Sequence, residues 1–255
     1  MDNHHKWEIE VAAGSYYPDL SQSFYGNDVE LGYEDDVHGM LFFAYSRHAD
    51  ELDSLDHVAQ RLYSIQLLLN GALRLEQGRI HPVPIQFKQF ASTDNGSRRP
   101  VFAKAVEENP FSQNPGTHEV AADWNNPRKR YASRLLHLSK ADTDLRALLF
   151  LVGLVAIGTP TECILTWGTL YKIYDTVTHH SRLLLLSVEN FADTNQVEAF
   201  RAACNNMSVL GIYARHGASS NPRPTRVITD LDAAVNLIVA MASNFCHEYV
   251  KAKHS

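Results

Sequence analysis

Cysteine is scarce in this chain. Cys163, Cys204 and Cys246 are its only three, too far apart for a disulfide framework or a CxxC ligand pair. That usage suits a reducing compartment, so a cytoplasmic location is expected. Long apolar runs are missing as well. The longest, Ala147 to Gly158, covers about 12 residues, against the roughly 20 that span a bilayer. No basic segment followed by an apolar core opens the chain, so no secretory leader and no membrane partner are expected. Also absent are G-x-x-x-x-G-K-[ST], G-x-G-x-x-G, H-E-x-x-H and G-x-S-x-G. P-loop, dinucleotide-binding, zinc-protease and α/β-hydrolase readings thereby lose their usual signatures. No cofactor and no metal are expected.

What is present suits a folded protein: 255 residues, 45% of them hydrophobic and 20% charged. The net charge of −6 hides an asymmetry. Residues 1–127 carry 19 acids against 9 Lys and Arg, while residues 128–255 carry 10 acids against 14. The change falls beside a stretch rich in breakers, from Asn109-Pro110 through Asn114-Pro115-Gly116 to Asn126-Pro127. The expected organisation is an α+β recognition domain over 1–110, a linker over 111–127 and a helical domain over 128–255. The fold class is α+β: an N-terminal mixed sheet with one long helix, then an all-α bundle of about five helices.

Periodicity supports each half. Trp7 to Val11 alternates polar and apolar residues, as a half-buried strand does, and Met40 to Tyr45 is a short aromatic run suited to a central strand. Leu55, Val58, Ala59, Leu62, Ile65, Leu69, Ala72 and Leu73 recur at helical spacing, and Gly78 is placed to stop that helix. Val83–Phe90 and Pro100–Ala105, separated by Asp94-Asn95-Gly96, read as a hairpin, with Pro84 confining the first strand to an edge or a start. Beyond residue 128, apolar stripes predict helices near 128–139, 142–157, 161–178, 194–212 and 230–252. Pro160 suits a first helical position, and Thr229 to Asp232 has the form of a capping box. Leu231, Val235, Ile238, Met241, Phe245 and Tyr249 are the expected buried face of the last helix.

Residues with chemical potential gather in the second half. Asn205-Asn206 interrupts a predicted helix with poor helix formers. Arg215-His216-Gly217 follows, and then a polar loop carrying Arg223 and Arg226. A guanidinium suits a phosphate, and an imidazole exchanges protons near neutral pH. The competing reading is a helix end, where Arg and His complement the dipole and glycine stops the helix. Asp175 and His179 share a helical face but lack a third metal ligand. Arg128, Lys129, Arg130, Arg134 and His137 form a basic stripe suited to a phosphate backbone, with the three cations at 128–130 exposed. In the first half Tyr16-Tyr17, Phe24-Tyr25, Tyr33, Glu30, Glu34, Asp35 and Asp36 make an acidic, aromatic stretch suited to a protein partner.

Ser133-Arg-Leu-Leu136, Trp167-Gly-Thr-Leu-Tyr-Lys-Ile-Tyr174, Asn205-Asn206 and Ala214-Arg-His-Gly217 resemble, in that order, the helical module of HEPN proteins. The resemblance covers residues 128–252 and implies a helical bundle that commonly dimerises. It also implies metal-independent ribonuclease activity of the kind found in bacterial toxin–antitoxin and phage-defence systems. An Arg followed by His with four to six residues between is the family's catalytic signature; Arg130…His137 and Arg74…His81 have that spacing, whereas Arg215 and His216 are adjacent. The expected catalytic set is Arg215 and His216, positioned by Asn205 and Asn206. Arg128, Lys129, Arg130, Arg134, His137, Arg223 and Arg226 are the expected RNA contacts. The alternative is a non-enzymatic sensor or interaction protein whose helical half forms a dimer or partner surface.

Overall fold

The computed structural model describes residues 5–22, 24, 28–37, 39–80, 83–94, 96–112, 129–217 and 223–254. Two compact units emerge, Met1–Ala72 with His81–Leu149, and Leu73–Ile80 with Phe150–Ser255. The expected linker, 111–127, falls almost wholly outside the described residues. The units divide between Leu149 and Phe150, and the helix over Tyr131–Leu138 belongs to the first.

Unit 1 is built on a five-stranded sheet of β1 (Trp7–Ala12), β2 (Glu30–Asp36), β3 (Gly39–Tyr45), β4 (Gln86–Ser92) and β5 (Arg98–Pro100), in the order β2-β3-β1-β4-β5. Every pairing among the described strands is antiparallel, where a mixed sheet was expected. The alternation read in β1 is real: Trp7, Ile9 and Val11 are buried while Glu8 is exposed. On β4 the period of two is broken, because Val11 pairs with Phe87 and Glu10 with Gln89, which leaves Lys88 as an extra residue. That bulge is why Phe87 and Phe90, three apart, both reach the core. Pro84 precedes β4, as a residue without an N–H must when the strand is paired on both sides. The acidic stretch read as a partner surface forms the edge strand β2, whose bounds and place in the sheet the sequence pattern does not set.

Short helices α1 (Tyr17–Ser21) and α2 (Arg47–Asp50) flank the first three strands. The long helix α3 (Leu55–Gln77) follows, and Gly78, at φ +61°, ends it in the left-handed conformation that glycine adopts without strain. Asn70 of α3 bonds both backbone groups of Ile85, and Gln66 accepts from the Phe87 N–H, which fixes the entry of β4. Gly71 has a separate reason: a Cβ there would lie 2.0 Å from the Leu149 carbonyl oxygen. α4 (Tyr131–Leu138) and the start of α5 (Thr143–Gly153) complete this unit, with Asp142 capping α5 through the Asp144 and Leu145 N–H groups.

Unit 2 is helical: α6 (Pro160–Leu183), α7 (Thr194–Cys204), the short α8 (Met207–Leu210) and α9 (Leu231–His254), together with the last turns of α3 and α5. Thr159 and Glu162 form a capping box around Pro160 at the start of α6. At α9 the cap is Asp230, which accepts from the Ala233 N–H, rather than Thr229. Val235, Ile238, Met241, Phe245 and Tyr249 are buried as expected, and Leu231 is half-buried. Trp167, Leu170, Tyr171, Ile173, Tyr174 and Val177 supply the buried face of α6. Cys204 and Cys246 are buried, Cys163 is half-buried, and none of the three is in a disulfide.

Candidate functional site

The predicted helix over 194–212 breaks at Asn205-Asn206, and the break builds a site in unit 2. Asn205 closes α7, and Asn206 turns to an extended backbone, its side-chain oxygen accepting from the Ser208 N–H and hydroxyl to cap α8. A single 3-10 turn, Gly211–Tyr213, then lets the chain double back, so that the Arg215 N–H donates to the Cys204 carbonyl at 2.8 Å. Arg215 and His216 therefore leave no regular helix, and the angular restriction that helical neighbours suffer does not apply to them.

The Arg215 guanidinium lies 3.9 Å from the centre of the Tyr171 ring. Asn205 Nδ2 reaches the Tyr171 hydroxyl at 3.3 Å, so one tyrosine organises both residues. Asp175 stands 3.8 Å from Arg215, and both side chains are substantially exposed, at 54% and 39%. Exposed pairs at that separation contribute little. Among the described residues the Arg215 guanidinium makes no hydrogen bond, and the buried Asn205 Oδ1 has no partner. Arg201 stacks on Tyr174 at 5.4 Å and pairs with exposed Glu198 at 2.6 Å; its buried Nε also lacks a partner. His216, next to Arg215 in the chain, is exposed. Burial pushes the Cys204 thiol up to about 12, against the pull of the Arg215 charge, so it stays protonated at neutral pH and is no nucleophile.

The remaining predicted contacts scatter. Arg128 lies outside the described residues, and Lys129 and Arg130 are half-buried rather than exposed. Arg134 Nε donates to the Lys129 carbonyl at 3.0 Å. His137 is buried, its Nδ1 2.9 Å from Asp28, so it is no part of an exposed stripe. Arg74 is buried and donates to the Val152 and Gly153 carbonyls, while His81 lies outside the described residues. Arg223 and Arg226 are exposed, and Arg226 lines a cleft of about 540 Å³ together with Asn195, Gln196 and Asn236. No group of three or more His, Cys, Asp or Glu among the described residues is arranged to hold a metal, and His179 packs edge-on to His180.

A second polar cluster, in unit 1, went unseen in the sequence. Asp28, just before β2, receives three side chains: His48 Nε2 at 3.0 Å and Lys140 Nζ at 2.8 Å on Oδ1, and His137 Nδ1 at 2.9 Å on Oδ2. His48 is fully buried, and the Lys140 and Asp28 side chains are 1% and 10% exposed. Burial works against the Asp28 charge, but the hydrogen bonds from His137 and His48 and the Lys140 cation outweigh it and hold the carboxyl well below the usual range. His137 Nε2 is buried without a partner among the described residues. The three partners lie 20 to 112 positions from Asp28, so no local motif joins them to it. A lone buried histidine or lysine beside an acid is a signal only once the topology is known. No family model, curated protein or solved structure matches the chain.

Proposed function

We propose that the protein binds single-stranded RNA on the unit 2 surface formed by Tyr171, Asn205, Arg201 and Arg215, and cleaves it with His216 as the proton acceptor. The observation that carries this reading is Arg215: stacked on Tyr171, exposed, and with no hydrogen bond from its five N–H donors to any described residue. A guanidinium oriented by an aromatic face and left with its fork open is suited to phosphate oxygens. In the cleavage step His216 takes the proton of a ribose 2′-hydroxyl, the 2′ oxygen bonds to the adjacent phosphorus, and the bond to the 5′ oxygen breaks, with water returning a proton to it. Arg215 faces the charge that accumulates on the phosphoryl oxygens, and Asn205 positions the strand. Asn206, committed to capping α8, has no direct part in this chemistry.

The test uses a labelled single-stranded RNA and purified protein. Binding should weaken with salt at a logarithmic slope near −0.7 per phosphate contacted. His216→Ala should slow cleavage by about 10²–10⁴ and spare affinity. Absence of both binding and cleavage by the wild type overturns the reading. A partner-binding reading is then favoured by the tip of the β2–β3 hairpin, where Tyr33, Val37, Met40 and Leu41 are exposed beside Glu34 and Asp35.

A further inference from the structure

Ser112 completes a line of groups in unit 1 that the RNA reading does not use. Its Oγ lies 3.0 Å from His48 Nδ1, and His48 Nε2 lies 3.0 Å from Asp28 Oδ1. The backbone N–H of Ser112 also points at His48 Nδ1, at 3.2 Å. That N–H assigns the lone pair to Nδ1 and the ring hydrogen to Nε2, where Asp28 accepts it. The imidazole is thereby held in the tautomer that can take a proton from the serine hydroxyl.

The surroundings hold this geometry. Phe111 packs edge-on against the His48 ring with centres 5.1 Å apart. Arg61 donates to the His48 carbonyl at 2.9 Å and pairs with Glu107 at 2.8 Å, and the Glu107 N–H donates to Ser64. The segment leading to Ser112 is therefore clamped against the helix that carries His48. Lys140 and His137 fix the carboxylate plane of Asp28, so that Oδ1 faces His48. His48 is fully buried, whereas Ser112 is partly exposed, which is the order of accessibility that a base and its nucleophile need.

We propose that Ser112, His48 and Asp28 form a nucleophile, base and orienting carboxylate that take an acyl group from a small, unhindered ester. The Ser112 oxygen bonds to the carbonyl carbon while its proton passes to His48 Nδ1. The bond from that carbon to the leaving alcohol oxygen breaks, and the alcohol departs with the proton from Nδ1. Water then repeats the sequence, releasing a carboxylic acid and restoring the serine hydroxyl. Asp28 shares its charge with Lys140 and His137 as well as His48, so it stabilises the imidazolium less than an unshared carboxylate does, and acylation is slow.

The test is covalent labelling of the full-length protein with a fluorophosphonate, read by intact mass and peptide mapping. One adduct, on Ser112, is expected, together with hydrolysis of p-nitrophenyl acetate above the buffer rate. Ser112→Ala should abolish the adduct without moving the unfolding midpoint. His48→Gln should slow labelling by about 10²-fold or more. Since His48 is buried and its replacement can unfold the unit, Ser112→Cys provides an independent reading: iodoacetamide should alkylate that thiol faster in the native protein than after urea unfolding. No adduct on Ser112, labelling of His48→Gln at the wild-type rate, or alkylation no faster than in urea each overturns the proposal. None of these outcomes bears on the RNA reading, which concerns other residues.

Discussion

The two polar clusters use similar side chains toward opposite ends. In unit 1, Asp28 receives one hydrogen bond from each of His48, His137 and Lys140, all buried, and its charge is balanced inside the protein. In unit 2, Arg215 meets an aromatic face and a distant, exposed carboxylate, and its guanidinium makes no hydrogen bond to a described residue. A buried network in which one member is removed strands the rest without water to compensate, so the stability of the fold depends on it. An exposed cation resting on a tyrosine contributes little to stability and is available to a ligand. Identity of residue type does not separate these roles; burial and the completeness of hydrogen bonding do.

That contrast yields a ranked set of expectations. The largest is for Asp28→Ala, which leaves Lys140 Nζ and His48 Nε2 buried without their carboxylate. Chemical denaturation should show a loss of about 3–5 kcal/mol, while Asp175→Ala should cost at most about 1 kcal/mol. A similar loss for both would erase the distinction between the clusters. Next come matched core deletions: Phe90→Ala in unit 1 and Phe200→Ala in unit 2 should each cost about 3–5 kcal/mol. Because Phe200 packs against Trp167 and Tyr171, only its loss should also weaken RNA binding.

A smaller effect is expected from pH. The Asp28 carboxyl is held low in the folded protein, so its contribution is present above its unfolded value of about 3.9 and is lost as pH falls through the folded value. Asp28→Asn should therefore flatten the acid limb of a stability titration. On the alkaline side, Cys204 is raised from its ordinary 9.0 to about 12, so its contribution is present below pH 9 and declines as pH rises toward 12. Cys204→Ala should flatten that limb. The smallest expected effect is for Glu198→Gln, an exposed partner of Arg201, at no more than about 0.5 kcal/mol in thermal unfolding.

Much of the fold was legible because its local chemistry and its tertiary burial agree. The stripe along α3, its stop at Gly78, the proline at the start of α6 and the apolar face of α9 all follow from periods and caps. Strand β2 escaped because Glu30-Leu-Gly-Tyr-Glu-Asp-Asp36 is an edge strand in which Leu31 alone is buried among Glu30–Asp35, so little apolar patterning marks it. The Lys88 bulge hid the true register of β4 for a related reason: the extra residue shifts the buried face by one. At the site, Asn205 was readable as a misfit in a helix and Arg215 as a cation beyond the helix end, but their meeting at Tyr171 depends on how the chain reverses after Gly211. His137 was read as part of an exposed basic stripe because helical spacing shows a face without showing what covers it. The Asp28 network was out of reach, since its partners are joined only by topology.

The division of labour between the clusters is tested most directly by measuring RNA affinity and unfolding midpoint together in Asp28→Asn and Arg215→Gln. The expected result is a double dissociation. Asp28→Asn should lower the midpoint strongly and leave the affinity of the folded protein unchanged. Arg215→Gln should leave the midpoint within about 0.5 kcal/mol of wild type and remove most of the affinity, with a shallower salt dependence. An Arg215→Gln protein that is as destabilised as Asp28→Asn, or that binds RNA as the wild type does, would contradict it.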